Sequence, residues 1–472
     1  MSLEDFADKA VEFSLQSGCQ YCDVRAERTA RDGFLLENGE IEHFTSSTDL
    51  GLGIRVLAQG SWGFYSISNP KSLEQIKEAA GEATKSALYH SQRKKLKVRL
   101  ADTRAYVDKI DFPVSKEPTI DELTKLGFEC DSIMKSKKRV NKSSISMGCE
   151  KFLKYFVSSD GAKISQTYTD IIAYLTATAH ESGLTESVNT TEGGRGGMEM
   201  ILGKNDITKI ANFIAQKASE LIDAKVAKEE KATLVMNPDF VALLTHEILG
   251  HPSEADRVLG KEMAWAGGAW WAGKLGEKIG SKELSVVDDP TIENSLGWYK
   301  YDDEGVLAKK KTLIENGILE NHMQSRETAS IFGTAPNSGM RASGYEFMPL
   351  IRMSCTCIEK GDWDPQEMIK EVKSGYLISN MKIPSIDMMR YNWSISCQYA
   401  QKIENGEPTH LLRDVIVMGT APEFFNSIDA CGKDFTVRPV TNCGKGDPMQ
   451  TMRMGNGGPH IRGVATVKSV GS

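Results

Sequence analysis

The stretch Asn237-Pro-Asp-Phe-Val-Ala-Leu-Leu-Thr-His-Glu-Ile-Leu-Gly-His-Pro252 decides how the rest of the chain is read. Asn237 is a good N-cap, and Pro238 suits the first helical position, where its missing N–H is no loss. Between Phe240 and Leu249 only Thr245, His246 and Glu247 are polar, and a helix apolar on nearly every side belongs in a core. An imidazole and a carboxylate are costly to bury there without partners. One metal ion would supply a partner to both.

The two histidines are five residues apart, which on an ideal helix separates them by about 140°. The common His-Glu-x-x-His zinc motif has a spacing of four, which shares a helix face. The expectation is therefore a helix broken between His246 and His251. Gly250 would take the left-handed conformation that ends helices, and Pro252 would push His251 out of the α region. His246 and Glu247 then sit on the last turn, and His251 folds back toward them. With 8 histidines in 472 residues, His-Glu-x-x-x-His arises by chance in roughly one such chain per hundred. That favours the metal reading over a core helix with one satisfied histidine.

Such a centre needs a third ligand and keeps one position open for water. Glu247, beside the first ligand, is the natural general base. Candidates for the third ligand are His322, His410, His460 and several cysteines. Cys443, in Thr441-Asn-Cys-Gly-Lys-Gly446, lies outside any apolar alternation that would explain it as core, and a thiolate suits zinc. On chemistry alone it stands slightly ahead of His460, and both stay open.

Outward from this stretch, the N-terminal half alternates helices with strands. Phe6, Ala10 and Phe13 have helical spacing within 1–17, and strands follow to about residue 67. Ser72-Leu-Glu-Gln75 and Thr119-Ile-Asp-Glu122 read as capping boxes that open helices. Strands recur over 140–192, and a further helix runs over 206–223. The basic run 91–103 reads as a solvated connector, and 227–231 as the linker into the last domain. From Ser285 onward the pattern is mostly strand, predicting an antiparallel sheet or barrel. Asn38-Gly39, Asn316-Gly317 and Asn405-Gly406 each follow an apolar residue and a glutamate, and Asn-Gly is the strongest short hairpin signal. The fold class is α+β. N-terminal modules over 1–103 and 104–226, together one unit, precede a strand-rich domain over 232–472 that carries the metal helix.

A net charge of −7 and a pI near 5.8 leave no electrostatic footprint for nucleic acid or an anionic membrane. No apolar run approaches the length of a bilayer span, and Met1-Ser-Leu-Glu-Asp-Phe lacks the character of a signal peptide. The cytoplasm is the expected location. The nine cysteines are odd in number and scattered, which argues against a disulfide framework. Cys19-Gln-Tyr-Cys22 reads as two unrelated thiols, and Cys355 and Cys357 as small core residues on one face of a strand. Glu192-Gly-Gly-Arg-Gly-Gly197 and Met454-Gly-Asn-Gly-Gly458 could form anion nests. Neither is followed by Gly-Lys-Ser/Thr or opens a clear helix, so phosphate binding is the weaker reading. Trp265, Trp270 and Trp271 suit either local packing under a loop or the wall of a cleft or subunit contact.

His246-Glu-Ile-Leu-Gly-His-Pro-Ser-Glu-Ala-Asp256 resembles the signature of the TldD/PmbA family of metallopeptidases, in its TldD-like branch with His-Glu-x-x-x-His. The resemblance extends through Gly51-Leu-Gly-Ile-Arg-Val56, Gly60-Ser-Trp-Gly-Phe64, Gly193-Gly-Arg-Gly-Gly197, Asp302-Asp-Glu-Gly305 and Pro349-Leu-Ile-Arg-Met353 to Cys443-Gly-Lys. After the cysteine this chain has Gly444-Lys-Gly-Asp-Pro where the family pattern would have a glutamine-containing stretch. The resemblance implies zinc, or a similar divalent metal, held by His246, His251 and Cys443, with Glu247 as base. It also implies outer roles for Glu254 and Asp256, a preference for unfolded or extended peptides, and a dimer enclosing a cavity. That dimer would be a homodimer or a heterodimer with a PmbA-like subunit. The competing classes are a noncatalytic peptide-binding subunit, against which the intact His246-Glu247-His251 triplet speaks, and an amidohydrolase of small modified peptides.

Overall fold

The computed structural model describes residues 1–93, 97–203, 205–262 and 267–469. The basic connector falls partly on residues 94–96, outside the described residues. The architecture is α+β, with a sheet-and-helix N-terminal half and a strand-rich C-terminal half.

Helix Leu3–Gln16 begins at Ser2, whose hydroxyl accepts from Asp5 N while the Asp5 carboxylate accepts from Ser2 N. Strands Tyr21–Glu37, Glu40–Ala58 and Ser61–Ser68 form an antiparallel meander. Val140–Ser158 pairs with the first of these and carries the sheet on to Lys163–Glu181 and Leu184–Arg195. Residues on both sides of the connector thus share one seven-stranded sheet. Helices Leu3–Gln16 and Leu73–Ser91 bury their alanine-rich faces against one part of it. Ile120–Lys135 and Ile207–Leu221 cover another. Ser72 and Thr119 do cap their helices, accepting from Gln75 N and Glu122 N. The return half of each expected capping box is missing, because Gln75 accepts from Lys71 N and Glu122 from the Thr119 hydroxyl.

All three Asn-Gly pairs turn as hairpins with both residues at positive φ: 51° and 87° at 38–39, 49° and 81° at 316–317, 51° and 82° at 405–406. This is the twist a two-residue hairpin needs.

The C-terminal half holds an eight-stranded and a six-stranded sheet, and both are mixed rather than antiparallel. Glu230–Met236 runs parallel to Ser374–Ile386, and Cys355–Ile358 parallel to Gln450–Gly458. The reason is topological: parallel neighbours need long crossovers, and the metal helix, Pro238–Thr245, lies in the crossover that leaves Glu230–Met236. The expected linker is tied down. Lys225–Val226 joins the larger sheet beside Glu407–Arg413, Ala227 N donates to the Ser469 hydroxyl, and the next strand starts at Glu230. Phe240, Val241, Leu244, Ile248 and Leu249 are wholly buried in the core between the two sheets and the strands that flank them. Among the described residues, no helix is long and apolar enough to cross a membrane.

Candidate metal centre

Asn237 caps the metal helix as its sequence position requires, its Oδ1 accepting from Phe240 N at 3.0 Å, with Pro238 in the first turn. The helix does not break after His246. It widens into a π-turn over His246–Gly250, closed by His251 N donating to His246 O, and continues as a 3₁₀ turn over His251–Ser253. Gly250 (φ −70°) and His251 (φ −56°) both stay right-handed. The expected left-handed glycine and the displaced histidine are therefore corrected. A bond from residue i to residue i+5 stacks His251 above His246, so a spacing of five meets on one face after all, and single π-turns occur frequently at functional sites. Gly250 serves closeness of packing: a Cβ there would meet Met353 Sδ at 2.1 Å.

The structure brings His246, His251 and Cys443 together, with one ligand atom of each within 4.8 Å of the others. The imidazoles meet edge to face with centroids 4.6 Å apart, and Cys443 Sγ lies 3.5 Å from His251 Nε2. All three side chains are buried. Cys443 comes from strand Thr436–Lys445, where an irregularity between Val440 and Cys443 resets the pairing with Gln450–Gly458. Its carbonyl accepts from Arg352.

The donors fit a borderline-soft divalent ion such as zinc. Nδ1 of His246 donates to Asn456 Oδ1 at 2.9 Å, which leaves Nε2 for the shared centre. Nδ1 of His251 is flanked by Glu254 Oε2 at 3.4 Å and Arg257 Nη2 at 3.1 Å, and of the two only the carboxylate can accept its proton. Such outer bonds fix tautomer and ring orientation. Burial alone would raise the Cys443 thiol, but the adjacent His246, His251 and Arg352 outweigh it and hold it well below its usual value. Burial opposes the charge on His246, yet Cys443 and Glu247 raise its pKa to about 9. The thiolate is thus the favoured form of the cysteine.

Glu254 and Asp256 lie in the shell behind His251. Lys445 Nζ, fully buried, reaches Asp256 at 2.7 and 2.8 Å, Glu254 Oε2 at 3.2 Å and Ile351 O at 2.8 Å. Arg257 Nε donates to the same Glu254 oxygen at 2.5 Å. Burial works against the Glu254 charge, but Lys445 and Arg257 hold its carboxyl well below the usual range. Glu247, the expected base, stands outside the ligand set and accepts from Arg390 Nη1 at 2.6 Å.

The other histidines are elsewhere. His460 Nδ1 bonds Asp434 at 2.9 Å, and His410 bonds Thr409. His322 is buried with neither ring nitrogen hydrogen-bonded among the described residues, and burial pulls its pKa down to about 4. Four contributors were not foreseen from sequence: Asn456, Lys445, Arg257 and Arg390. Asn456 sat inside the Gly455–Gly458 cluster that suggested an anion nest. These glycines are in a strand, and a Cβ on Gly458 would meet Val241 Cγ1 of the metal helix at 2.9 Å. They let the helix approach until His246 touches Asn456. The alternation Cys443-x-Lys445 was a usable signal for the lysine; Arg390 had none.

Trp271 is wholly buried, its Nε1 donating to Pro252 O at 2.7 Å, so for this residue the packing reading holds. Trp265 lies outside the described residues. Cys355 and Cys357 share a buried strand face, as expected, with sulfurs 3.7 Å apart.

Comparison with known proteins adds to this geometry. Residues 22–87, 113–225 and 229–466 match, in order, domain 1, the central domain and the C-terminal domain of the PmbA/TldA metallopeptidases. A metalloprotease of Methanocaldococcus jannaschii is 32% identical, over 97% of this chain and 98% of its own length. A zinc metalloprotease TldD homolog of Saccharolobus solfataricus is 26% identical, over 96% and 97%. The crystal structure of TldE from Thermococcus kodakarensis superimposes with a TM-score of 0.79 at 20% identity, covering 98% of this chain and all of the other, which shows the fold.

Proposed function

The chain belongs to the PmbA/TldA metallopeptidase family and is a metallopeptidase; from that premise we propose that it is a zinc-dependent peptidase of unfolded or extended polypeptides, with His246, His251 and Cys443 as ligands and Glu247 as general base. The observation that supports this reading best is the convergence of two imidazoles and a thiolate within 4.8 Å beside a carboxylate that is not among them. Residues 232–472 act as the catalytic domain in this scheme, and 1–226 as its scaffold.

A divalent ion in this centre supplies Lewis-acid polarisation of the substrate carbonyl and acidifies water. Glu247 takes a proton from the attacking water as its oxygen bonds the carbonyl carbon. It returns a proton to the leaving amine as the C–N bond breaks. Asn456 and Glu254 keep the two imidazoles oriented, and Lys445 ties the cysteine strand to the histidine segment through Glu254 and Asp256.

The extended substrate is supported by topology. Thr436–Lys445, which carries Cys443, is the outermost strand of the six-stranded sheet. A peptide laid along such an edge gains main-chain hydrogen bonds with little sequence preference. Enclosure of the centre in a homodimer, or in a heterodimer with a PmbA-like subunit, would exclude folded proteins. Its place of action, in this reading, is the cytoplasm.

Glu247→Gln tests the proposal. Hydrolysis of an unstructured peptide should fall about 10²- to 10⁴-fold while metal content and melting temperature stay at wild-type values. Loss of metal from a folded Glu247→Gln protein would move Glu247 into the ligand set and overturn its role as base. For substrate shape, a stable domain and a destabilised mutant of it are incubated with the enzyme where the former stays folded. Only the mutant should be cut.

A further inference from the structure

A carboxylate next to a metal-ligating histidine has an alternative to serving as base. Aspartate and glutamate oxygens are themselves ordinary zinc ligands, and the attraction of an anion to a divalent cation is strong where little water screens it. Glu247 is only 13% exposed on its side chain. Something must hold it off.

The described residues contain one such restraint. Arg390 Nη1 donates to Glu247 Oε2 at 2.6 Å, and the arginine side chain is itself only 16% exposed. A guanidinium suits this task better than a lysine: it presents a planar fork, cannot be deprotonated and cannot ligate a metal. It therefore competes for the carboxylate without competing for the ion.

The turn that carries Arg390 is heavily constrained. Asp387 Oδ1 accepts from Met389 N and Tyr391 N, both at 3.0 Å. Its Oδ2 accepts from Asn392 N at 2.8 Å and from Asn392 Nδ2 at 2.7 Å. Arg390 sits at φ 61°, a left-handed conformation that a residue with a side chain keeps only where its surroundings over-determine it. The surroundings do so. Gly268 N donates to Met388 O at 2.8 Å and Trp270 N to Met389 O at 2.9 Å. The Trp270 ring meets Tyr391 edge-on with centroids 6.0 Å apart, and Trp271 is anchored on Pro252, next to His251. The tryptophan loop thus braces the Arg390 turn against the same segment that supplies the ligands.

We propose that Arg390 is a positioning residue that keeps Glu247 out of the metal's coordination shell and so available as a base. This rests on the ligand set and the base proposed above. Arg390 Nε is buried without a partner among the described residues, so the guanidinium is not consumed by other acceptors on that side.

The test uses the full-length protein stripped of metal and reloaded with Co²⁺ alone, read by its visible absorption, which reports coordination. Wild type and Glu247→Gln should give the same spectrum. Arg390→Met should give a different one, because the released carboxylate enters the shell, and the double variant Arg390→Met/Glu247→Gln should return to the wild-type spectrum. Arg390→Lys should lie between. With the natural metal, Arg390→Met should lose about 10- to 100-fold in kcat with KM little changed. Gly267→Ala supplies an independent route should Arg390→Met fail to fold. Gly267 has φ +76°, and a Cβ there would meet Met388 O at 2.1 Å, displacing the turn with Arg390 intact and giving the same spectral change. A wild-type spectrum from fully loaded, folded Arg390→Met overturns this inference and leaves the proposed function standing. A wild-type protein that binds no Co²⁺ overturns both.

Discussion

Two buried polar clusters in this molecule neutralise themselves in different ways. Where the N-terminal sheet meets the C-terminal half, Arg55 supplies the chain's own cation. Its Nε and Nη2 fork onto Asp23 at 3.1 and 2.5 Å, and Nη1 reaches Glu304 at 3.1 Å. Burial pushes the Glu304 carboxyl up even beside that guanidinium. At the candidate metal centre, Cys443, His246 and His251 bring one ligand atom each within 4.8 Å of the others. The cations nearby, Lys445, Arg257 and Arg390, are engaged with Glu254, Asp256 and Glu247. The first cluster is closed: its two carboxylates share one guanidinium that the chain supplies. The second is open: its two imidazoles and its thiol are all groups able to hold a metal. Burial of charge is tolerated in both, but only the open one is equipped for exchange with a ligand.

The sharpest way to break this comparison is at Arg55. Arg55→Met leaves Asp23 and Glu304 buried without their cation, and should cost about 3–5 kcal/mol of folding stability, measured as a shift in the urea midpoint. The metal affinity of the folded fraction should be unchanged. If metal binding falls in step with stability, the two clusters are one unit.

Cys443→Ala should do the opposite. Loss of a ligand should weaken metal binding by more than the 10- to 100-fold typical of an outer partner, read by competition with a chromophoric chelator, with the metal-free melting temperature near that of wild type. His460→Ala, the rival ligand from sequence, should leave binding intact. Binding to the wild type should weaken as pH falls, since His246, whose pKa is raised to about 9, and the Cys443 thiol bind the ion only after losing a proton.

Asn456→Ala removes the orienting contact on His246 Nδ1, along with the bonds from Asn456 Nδ2 to Thr356 O and Met353 Sδ. It should weaken metal binding about 10- to 100-fold, a smaller loss than that of the ligand itself. An effect as large as that of Cys443→Ala would promote Asn456 from orienting partner to ligand.

The smallest effect concerns a half-exposed carboxylate that belongs to neither class. Burial works against the Glu199 charge, but hydrogen bonds from Ser115, Gly197 and neighbouring backbone hold its pKa down at about 2. Because the folded value lies below the unfolded one, near about 4.3, its stabilisation is present above pH ~4.3 and fades as pH falls toward the folded value. Glu199→Gln should cost under about 1 kcal/mol at neutral pH, allowing for solvent screening. The difference from wild type should vanish in acid. A difference that grows in acid would reverse the sign of the argument.

Local features were legible in the sequence because their causes are local. A side-chain oxygen three residues before an amide caps a helix whatever surrounds it, as at Asn237, Ser72 and Thr119. Asn-Gly takes positive φ at both positions because that conformation is cheap for these residues. The three expected ligands could be named because histidine and cysteine carry lone pairs that few other side chains offer. Arg390 could not be found that way, since Asp387-Met-Met-Arg-Tyr391 resembles any polar turn and its meaning depends on which carboxylate lies across from it.

The expectation of a broken helix failed for an instructive reason. Gly250 and Pro252 are indeed the residues that end helices in isolation. In this core Gly250 is required by the closeness of Met353, and the backbone answers by widening to a π-turn. The glycines around Asn456 likewise meet the demands of a helix packed on a strand, not those of an anion. By itself the sequence determined the elements, their caps and turns, the α+β class and the identity of the chemical groups. Only the tertiary structure decided that the sheets are mixed, that residues five apart share a face, and that Cys443 meets His251 across a sequence separation of 192. Those outcomes depend on packing between segments remote in sequence, and packing distances are not a property of any one segment.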